Sequence, residues 1–320
     1  MSEPAADVLI DDILRATPGH TSGTRPIHAP GICATGWFQA TSVATTYTSA
    51  SHFDGATVPV TVRFSNGTGL LNTPDTEPHL VRGMSVKFHL GQGTPDGTDV
   101  DMVAMTLPVF FVKSVDRFPE LVDSVAMPPS AIGRSLAQKV ADAVTLRLVP
   151  EPAGAGLFGF ARRYPAAAPA VAATGGLLVP ESYATASYNA VHAFTVTADS
   201  GAVRSVRFRW EPVDGVRPAA AGTRGSFLHA ELRARLARQG AEFVLRMQVA
   251  DQGDDTADPS RAWPQRRCRV VMGHLRLTAV ADGCEHLSFN PCRLVPGIAP
   301  SDDPILAARN AVYKRSFVRR

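Results

Sequence analysis

Strict two-residue alternation is the feature that most limits the folds open to this chain. In VPVTVRFSN (58–66), Val58, Val60, Val62 and Phe64 point one way while Thr61, Arg63 and Ser65 point the other. SVKFHL (85–90) repeats the pattern, with Val86, Phe88 and Leu90 opposite Ser85, Lys87 and His89. A period of two belongs to a half-buried strand, not to a helix. LPVFFVK (107–113) reads as another short strand, and HAFTVTA (192–198), VRSVRFRWEPV (203–213) and RVVMGHLRLTAV (269–280) as later ones.

Helical signals fall between and around these strands. Residues 1–24 open with a short amphipathic helix, Val8, Leu9, Ile13 and Leu14 sharing a face, and continue as a Pro/Gly/Thr-rich arm. Residues 116–150 look helical, divided at Pro128-Pro129, and PAAAPAVAATGG (165–176) reads as a loop or soft boundary. In SFLHAELRARLARQ, Leu228, Leu232 and Leu236 repeat every four residues, Glu231 faces Arg235, and Gly240 suits a left-handed cap. Ser301-Asp302-Asp303-Pro304 is an acidic cap with proline at the first helical position, so 304–316 is predicted helical. Strands and helices come in blocks without βαβ alternation, which favours an antiparallel α+β fold over a doubly wound sheet.

With 45% hydrophobic and 19% charged residues among 320, a large buried core is available and global disorder is excluded. A net charge of +3, with the arginines spread along the chain, gives no nucleic-acid footprint. No apolar run is long enough to span a membrane, and the acidic N-terminus does not resemble a secretory signal. Cys33, Cys268, Cys284 and Cys292 form no CxxC pair, so reduced, mostly buried thiols in a cytoplasmic protein are expected.

Three constellations carry possible chemistry. In Arg25-Pro-Ile-His28-Ala-Pro-Gly31 the prolines force an extended backbone, which presents His28 either as a general acid–base group or as an ordinary histidine beside a turn. Arg63 and Ser65 share a strand face that is either solvated or the wall of a pocket. Arg309 and Tyr313, four apart on the last helix, place a guanidinium beside a phenol. A neighbouring cation favours an ionised phenol, a hard ligand for ferric iron. Taken alone, the pair also fits an arginine packed over a tyrosine ring.

Together the segments resemble the monofunctional haem catalase family. RPIHAPG resembles that family's distal-histidine segment, VPVTVRFSNGTG its VRFS strand, and VRGMSVKF its RGFAVKF strand. DMVAMTLPVFFVK resembles DLVGNNTPVFFIRD, and PSRAWPQRRCRVVMGHLRL and EHLSFNPCRLVPGIAPSDDPILAARNAVY resemble later family segments in the same order. The resemblance covers roughly residues 20–320 and points to the small, barrel-only, catalase-related peroxidase branch.

The resemblance implies an eight-stranded antiparallel β-barrel with flanking helices, lacking the family's C-terminal helical and flavodoxin-like extensions. It divides the chain into an arm, 1–24, and one haem-binding domain, 25–320. The cofactor implied is haem b. By the same resemblance His28 is the distal catalytic histidine, Ser65 orients its ring, and Arg25, Arg63 and Arg320 hold the haem propionates. Tyr313 is the iron ligand, as is general for catalase haem, and Arg309 keeps it ionised. Ile27 sits above the iron, Phe118 lies against the cofactor, and Phe110 and Phe111 line the access channel. The implied reaction breaks a peroxide O–O bond through a ferryl intermediate, which hydrogen peroxide or an organic electron donor then reduces.

One departure changes the expected activity. The family's distal asparagine falls at Met105, and a thioether cannot donate a hydrogen bond. Weakened disproportionation of hydrogen peroxide and a pocket suited to an organic hydroperoxide are therefore expected. An allene oxide synthase-type lyase, rearranging a fatty-acid hydroperoxide, and a haem-binding protein without turnover are the alternatives. A monomer or homodimer is expected, with weak or no NADPH binding.

Overall fold

A computed structural model describes residues 1–77, 79–91, 99–125 and 156–320. Eight antiparallel strands form a barrel: β1 (Gly31–Ala40), β2 (Thr57–Asn66), β3 (Arg82–Phe88), β4 (Val100–Met105), β5 (Tyr188–Thr197), β6 (Val203–Pro212), β7 (Ala241–Val249) and β8 (Arg269–Ala281). Their order is β4-β3-β2-β1-β8-β7-β6-β5, and a single pairing of Met105 with Asn189 joins β4 to β5 and closes the cylinder. A ninth strand, β9 (Ile298–Pro300), adds to β5.

Alternation decides which side chains fill the barrel. Val58, Val60, Val62 and Phe64 of β2 meet Met84, Val86 and Phe88 of β3 inside, beside Phe38, Trp210 and Phe243. Trp210 is fully buried, with Phe38 edge-on at 6.0 Å between ring centroids. Each such side chain contributes roughly 1.5–3 kcal/mol by leaving water.

The helices are α1 (Glu3–Arg15), α2 (Phe118–Val125), α3 (Gly156–Arg163), α4 (Ala168–Gly175), α5 (Leu228–Arg238) and α6 (Pro304–Val318). In α5 the predicted leucine stripe is buried, Glu231 accepts from Arg235 Nε at 2.9 Å, and Gly240 is left-handed at φ 81°. α1 is tied to α6 by Arg315 on Asp7 at 2.8 Å and Arg319 on Asp11 at 2.6 Å.

Several expectations are corrected. Segment 107–113 is not a strand, although Leu107, Val109 and Val112 are buried. Pro108 has no N–H for a ladder, and Phe110 N donates instead to Pro259 O at 2.8 Å. Segment 165–176 is helical: Pro165 and Pro169 occupy first-turn positions, where proline is tolerated, and alanine does the rest. In α1 the buried face is Ala6, Leu9, Ile10 and Ile13, whereas Val8 is 58% exposed. β1 and β7 are not singled out by the sequence pattern, and β4 enters only within DMVAMTLPVFFVK, although Ala241, Phe243, Leu245 and Met247 alternate cleanly. The helix expected over 116–150 is present as α2, and its remainder from 126, with Pro128-Pro129, lies outside the described residues.

The expectation of reduced, mostly buried thiols fails: the two buried cysteines are bonded to each other, and of the two free ones Cys268 is exposed and Cys292 half-buried. Cys33 and Cys284 form a disulfide with Cα atoms 6.2 Å apart, while Cys268 and Cys292 are free. β1 and the turn after β8 bring the pair together from 251 residues apart in sequence, a proximity that spacing alone cannot reveal. The thiol argument for a cytoplasmic location is thereby weakened. No helix among the described residues is long and apolar enough to cross a membrane.

Candidate active site

The outer face of the barrel wall sets out the site in rows. Gly31, Ser65, Gly83, Met105 and Asn189 are successive partners across β1, β2, β3, β4 and β5. Cys33, Arg63, Ser85 and Val103 form a second row two residues away. Between them runs Ile32, Phe64, Met84 and Ala104, which belongs to the core. The barrel interior thus holds the wall rigid while the polar rows face outward.

His28 stands over the first row. Its backbone is left-handed (φ 61°), unusual for a residue with a Cβ and a mark of local strain. Its Nδ1 and Ser65 Oγ share a 2.9 Å hydrogen bond. A Cβ at Gly83 would lie 2.8 Å from Ser65 Oγ and 2.9 Å from His28 Nδ1, so only glycine leaves space for the ring. Burial first, then the charges of Arg63, Arg309 and Arg25, push the His28 pKa down to about 3. The ring is neutral at ordinary pH.

Arginines gather beside it. Arg63 Nη1 donates to His28 O at 2.9 Å and Nη2 to Ala29 O at 3.1 Å. An added Cβ at Gly31 would overlap the Arg63 guanidinium. Arg63 Nε donates to Glu285 Oε1 at 2.8 Å, Arg25 Nε to Glu285 Oε2 at 3.2 Å, and Arg320 Nη1 to Glu285 O at 3.1 Å. Burial, followed by the like charges of Arg63 and Arg320, lowers the Arg25 pKa to about 10.

The last helix supplies the opposite wall. Arg309 Nη2 donates to Tyr313 Oη at 3.1 Å, and Arg309 Nη1 to His192 Nε2 at 2.7 Å. Since that nitrogen accepts, the proton sits on Nδ1, which donates to Asp303 Oδ2 at 2.5 Å. Burial first lowers the His192 pKa to about 4 against the pull of Asp303. His192 reaches this position from a bulge: β5 runs four residues from Ala190 to Phe194 while β6 runs two, from Phe208 to Val206. Asp303 also caps α6, accepting from Ile305 N at 2.8 Å.

Apolar groups complete the enclosure. Phe110 lies 6.2 Å from Phe111 and 6.1 Å from Phe118, ring to ring, and Met105 packs against the same cluster. Phe110 also touches the Tyr313 side, 5.9 Å from the His192 ring and 5.5 Å under the Arg309 guanidinium. Ile27 precedes His28 and is 37% exposed.

The residues fit a porphyrin with two acid side chains and a central iron. Arg25 and Arg63 share the one Glu285 carboxylate while Arg320 holds the Glu285 backbone carbonyl, leaving positive charge for further carboxylates. A phenol oxygen beside an arginine offers a hard oxygen donor for iron, and the phenylalanine cluster offers apolar contact. The Catalase family model matches residues 12–320.

The chain belongs to the catalase family.

A catalase-related peroxidase from Mycolicibacterium paratuberculosis is 36% identical over 97% of this chain and 93% of its own length. A catalase-related peroxidase from Synechococcus elongatus is 30% identical over 99% of this chain and 90% of its own length. Catalase-2 of Bacillus subtilis is 29% identical over 90% of this chain but only 42% of its own. Haem binding goes with this family.

Four residues of the site escaped the sequence reading. Asp303 was legible only as a helix cap, and His192 only as the start of a strand. Gly83 and Glu285 stand within quoted segments without a stated purpose.

Proposed function

We propose that the protein is a haem-dependent peroxidase that reduces hydrogen peroxide or an organic hydroperoxide at the expense of an electron donor, with weak catalase activity. The observation that carries this reading is a neutral, serine-bound His28 within one arginine-rich enclosure that also holds the Arg309–Tyr313 pair. The names of the two catalase-related peroxidases support the same class.

Haem, when bound, supplies the iron redox chemistry that accepts an oxygen atom from a peroxide. Tyr313 would ligate its iron, and Arg25, Arg63 and Arg320 would hold its carboxylates. His28 does the proton work. Its Nδ1 is engaged by Ser65, so Nε2 takes a proton from one peroxide oxygen and returns it to the other, acting as base and then acid. A pKa of about 3 keeps this nitrogen unprotonated across the physiological range. The Asp303–His192–Arg309 chain fixes the guanidinium against Tyr313. Met105, with the neighbouring phenylalanines, makes the peroxide side apolar and poor in donors.

That apolar wall also favours the second reading, rearrangement of a lipid hydroperoxide, and one assay separates the two. Purified haem-loaded protein is given hydrogen peroxide alone, hydrogen peroxide with a chromogenic donor, and a lipid hydroperoxide. Donor-dependent reduction with slow oxygen release supports the peroxidase. An allene oxide product in place of an alcohol supports the lyase. Oxygen release at the rates of full-length catalases would overturn the weak-catalase claim. The variant His28→Ala is expected to keep haem and to lose about 100-fold or more in peroxide cleavage, as for loss of a general acid–base group. An unchanged rate would remove His28 from the mechanism. The reading takes the protein as a cytoplasmic monomer or homodimer, which cell fractionation and light scattering test.

A further inference from the structure

Cys284 and Glu285 are consecutive residues of one short 3-10 turn, Cys284–His286, entered through left-handed Gly283 (φ 72°). The disulfide joins that turn to Cys33, whose partner across β1 and β2 is Arg63. Glu285, seated beside the link, takes one hydrogen bond from Arg63 and one from Arg25. Arg63 in turn holds the carbonyls of His28 and Ala29, so one chain of contacts runs from the disulfide through Glu285 and Arg63 to the strained histidine.

Glu285 needs such an anchor. Its side chain is 57% exposed, and an exposed carboxylate–guanidinium pair is worth little when the carboxylate is free to wander. Burial raises its pKa, yet Arg63 and then Arg25 outweigh that and hold it below the usual carboxylate range. It is therefore ionised and committed to both arginines. The proposed function takes the protein as cytoplasmic, and a disulfide in a reducing compartment is most often transient and redox-sensing.

We propose that Glu285 is a positioning residue for Arg25 and Arg63, and that the Cys33–Cys284 bond is a redox-linked clasp holding it there. The clasp closes in peroxide and opens with dithiols. This rests on the peroxidase reading above, because the hydroperoxide that site consumes is also the oxidant. In closing, the Cys284 sulfur attacks one oxygen of the hydroperoxide and the O–O bond breaks. Alcohol or water leaves, and the sulfur becomes a sulfenic acid. The Cys33 sulfur then attacks it, the S–S bond forms and water leaves, so two thiols and one hydroperoxide give one disulfide, one alcohol or water, and one water. In opening, a small dithiol reduces the bond by two exchanges and is itself oxidised to a cyclic disulfide.

Haem retention tests the clasp without measuring turnover. Haem-loaded protein is treated with hydrogen peroxide or with dithiothreitol, and free thiols are counted by alkylation in denaturant. Two are expected after peroxide and four after the dithiol. Haem transfer to excess apomyoglobin is then timed. Reduction is expected to speed transfer about fivefold, the factor that a well-held surface ion pair at the upper end of its range is worth. Cys284→Ser should do the same without reductant. Glu285→Gln should do so with the disulfide intact, and reduction should then add nothing. In parallel, phenylglyoxal labelling of Arg25 and Arg63, mapped by mass spectrometry, should rise on reduction and in Glu285→Gln. Four thiols after peroxide, equal transfer rates, or an added effect of reduction in Glu285→Gln would each overturn the clasp. Protein that binds no haem defeats the peroxidase reading instead, and the labelling and thiol counts then still judge the clasp.

Discussion

An alanine at Gly83 would set its Cβ against both Ser65 Oγ and the His28 ring, at 2.8 and 2.9 Å, on a wall that cannot retreat because Met84 beside it is locked in the core. Gly83→Ala is accordingly expected to lower stability by about 1–3 kcal/mol, the usual cost of overpacking, and to suppress peroxide cleavage. Gly175→Ala, which meets nothing within 4 Å, serves as the control, and melting curves of both check the claim. Met105→Asn restores a donor in the row beside Gly83. It is expected to raise oxygen release from hydrogen peroxide about tenfold, in line with one recovered hydrogen bond. No change in the oxygen electrode trace would place the thioether away from proton transfer. At this scale the sequence was most readable where residue type is tied to a local motif, as with His28, Ser65, Arg309 and Tyr313. Glu285 was unreadable because its partners, Arg25 and Arg63, are more than 200 residues away in sequence.

Elements were legible in proportion to their periodicity. β2 and β3 are readable from alternation, and α5 from its four-residue leucine stripe. The stretch 107–113 misled because burial without a ladder looks, in one dimension, like a buried strand. Segment 165–176 misled in the opposite sense, its prolines suggesting a loop although both fall in first turns. The start of α6 shows a double use that sequence cannot disclose: one oxygen of Asp303 caps the helix and the other receives the His192 proton. Asp303→Asn keeps an acceptor for the cap but turns a donor toward His192 or forces its tautomer to switch. We expect a loss of about 1.5–3 kcal/mol, the range for a hydrogen bond to a charged group, in urea titrations. The visible spectrum of the haem-loaded variant should also shift, since the change is passed to Arg309 and Tyr313. An unaltered spectrum would confine Asp303 to capping.

For the molecule as a whole, buried neutral histidines set the response to acid. Burial holds the His52 pKa down at about 3, and among the described residues neither of its ring nitrogens has a hydrogen-bond partner. His192 sits at about 4 and His28 at about 3, again chiefly through burial. In the unfolded chain all three titrate near 6.5. Below that pH the unfolded state takes up protons that the folded state refuses. The stability is thus whole above about pH 6.5 and drains away toward pH 4 for His192 and pH 3 for His52 and His28, at roughly 1.4 kcal/mol per pH unit for each. Urea midpoints measured from pH 8 to pH 5 should fall accordingly, and His52→Phe should flatten the slope by about a third. Equal slopes would show that His52 does not carry the effect.

The excursion of β5 that carries His192 has a further meaning for how this architecture can change. Its surplus over β6 is two residues, an even number, so Ala190 and Phe194 on either side keep the same inward facing. Loss of two residues from that stretch would let the ladder run on unbroken, with every other side chain of the cylinder facing as before. The imidazole linking Asp303 to Arg309 is therefore a removable insert, and the scaffold and its chemistry can part company at this one place.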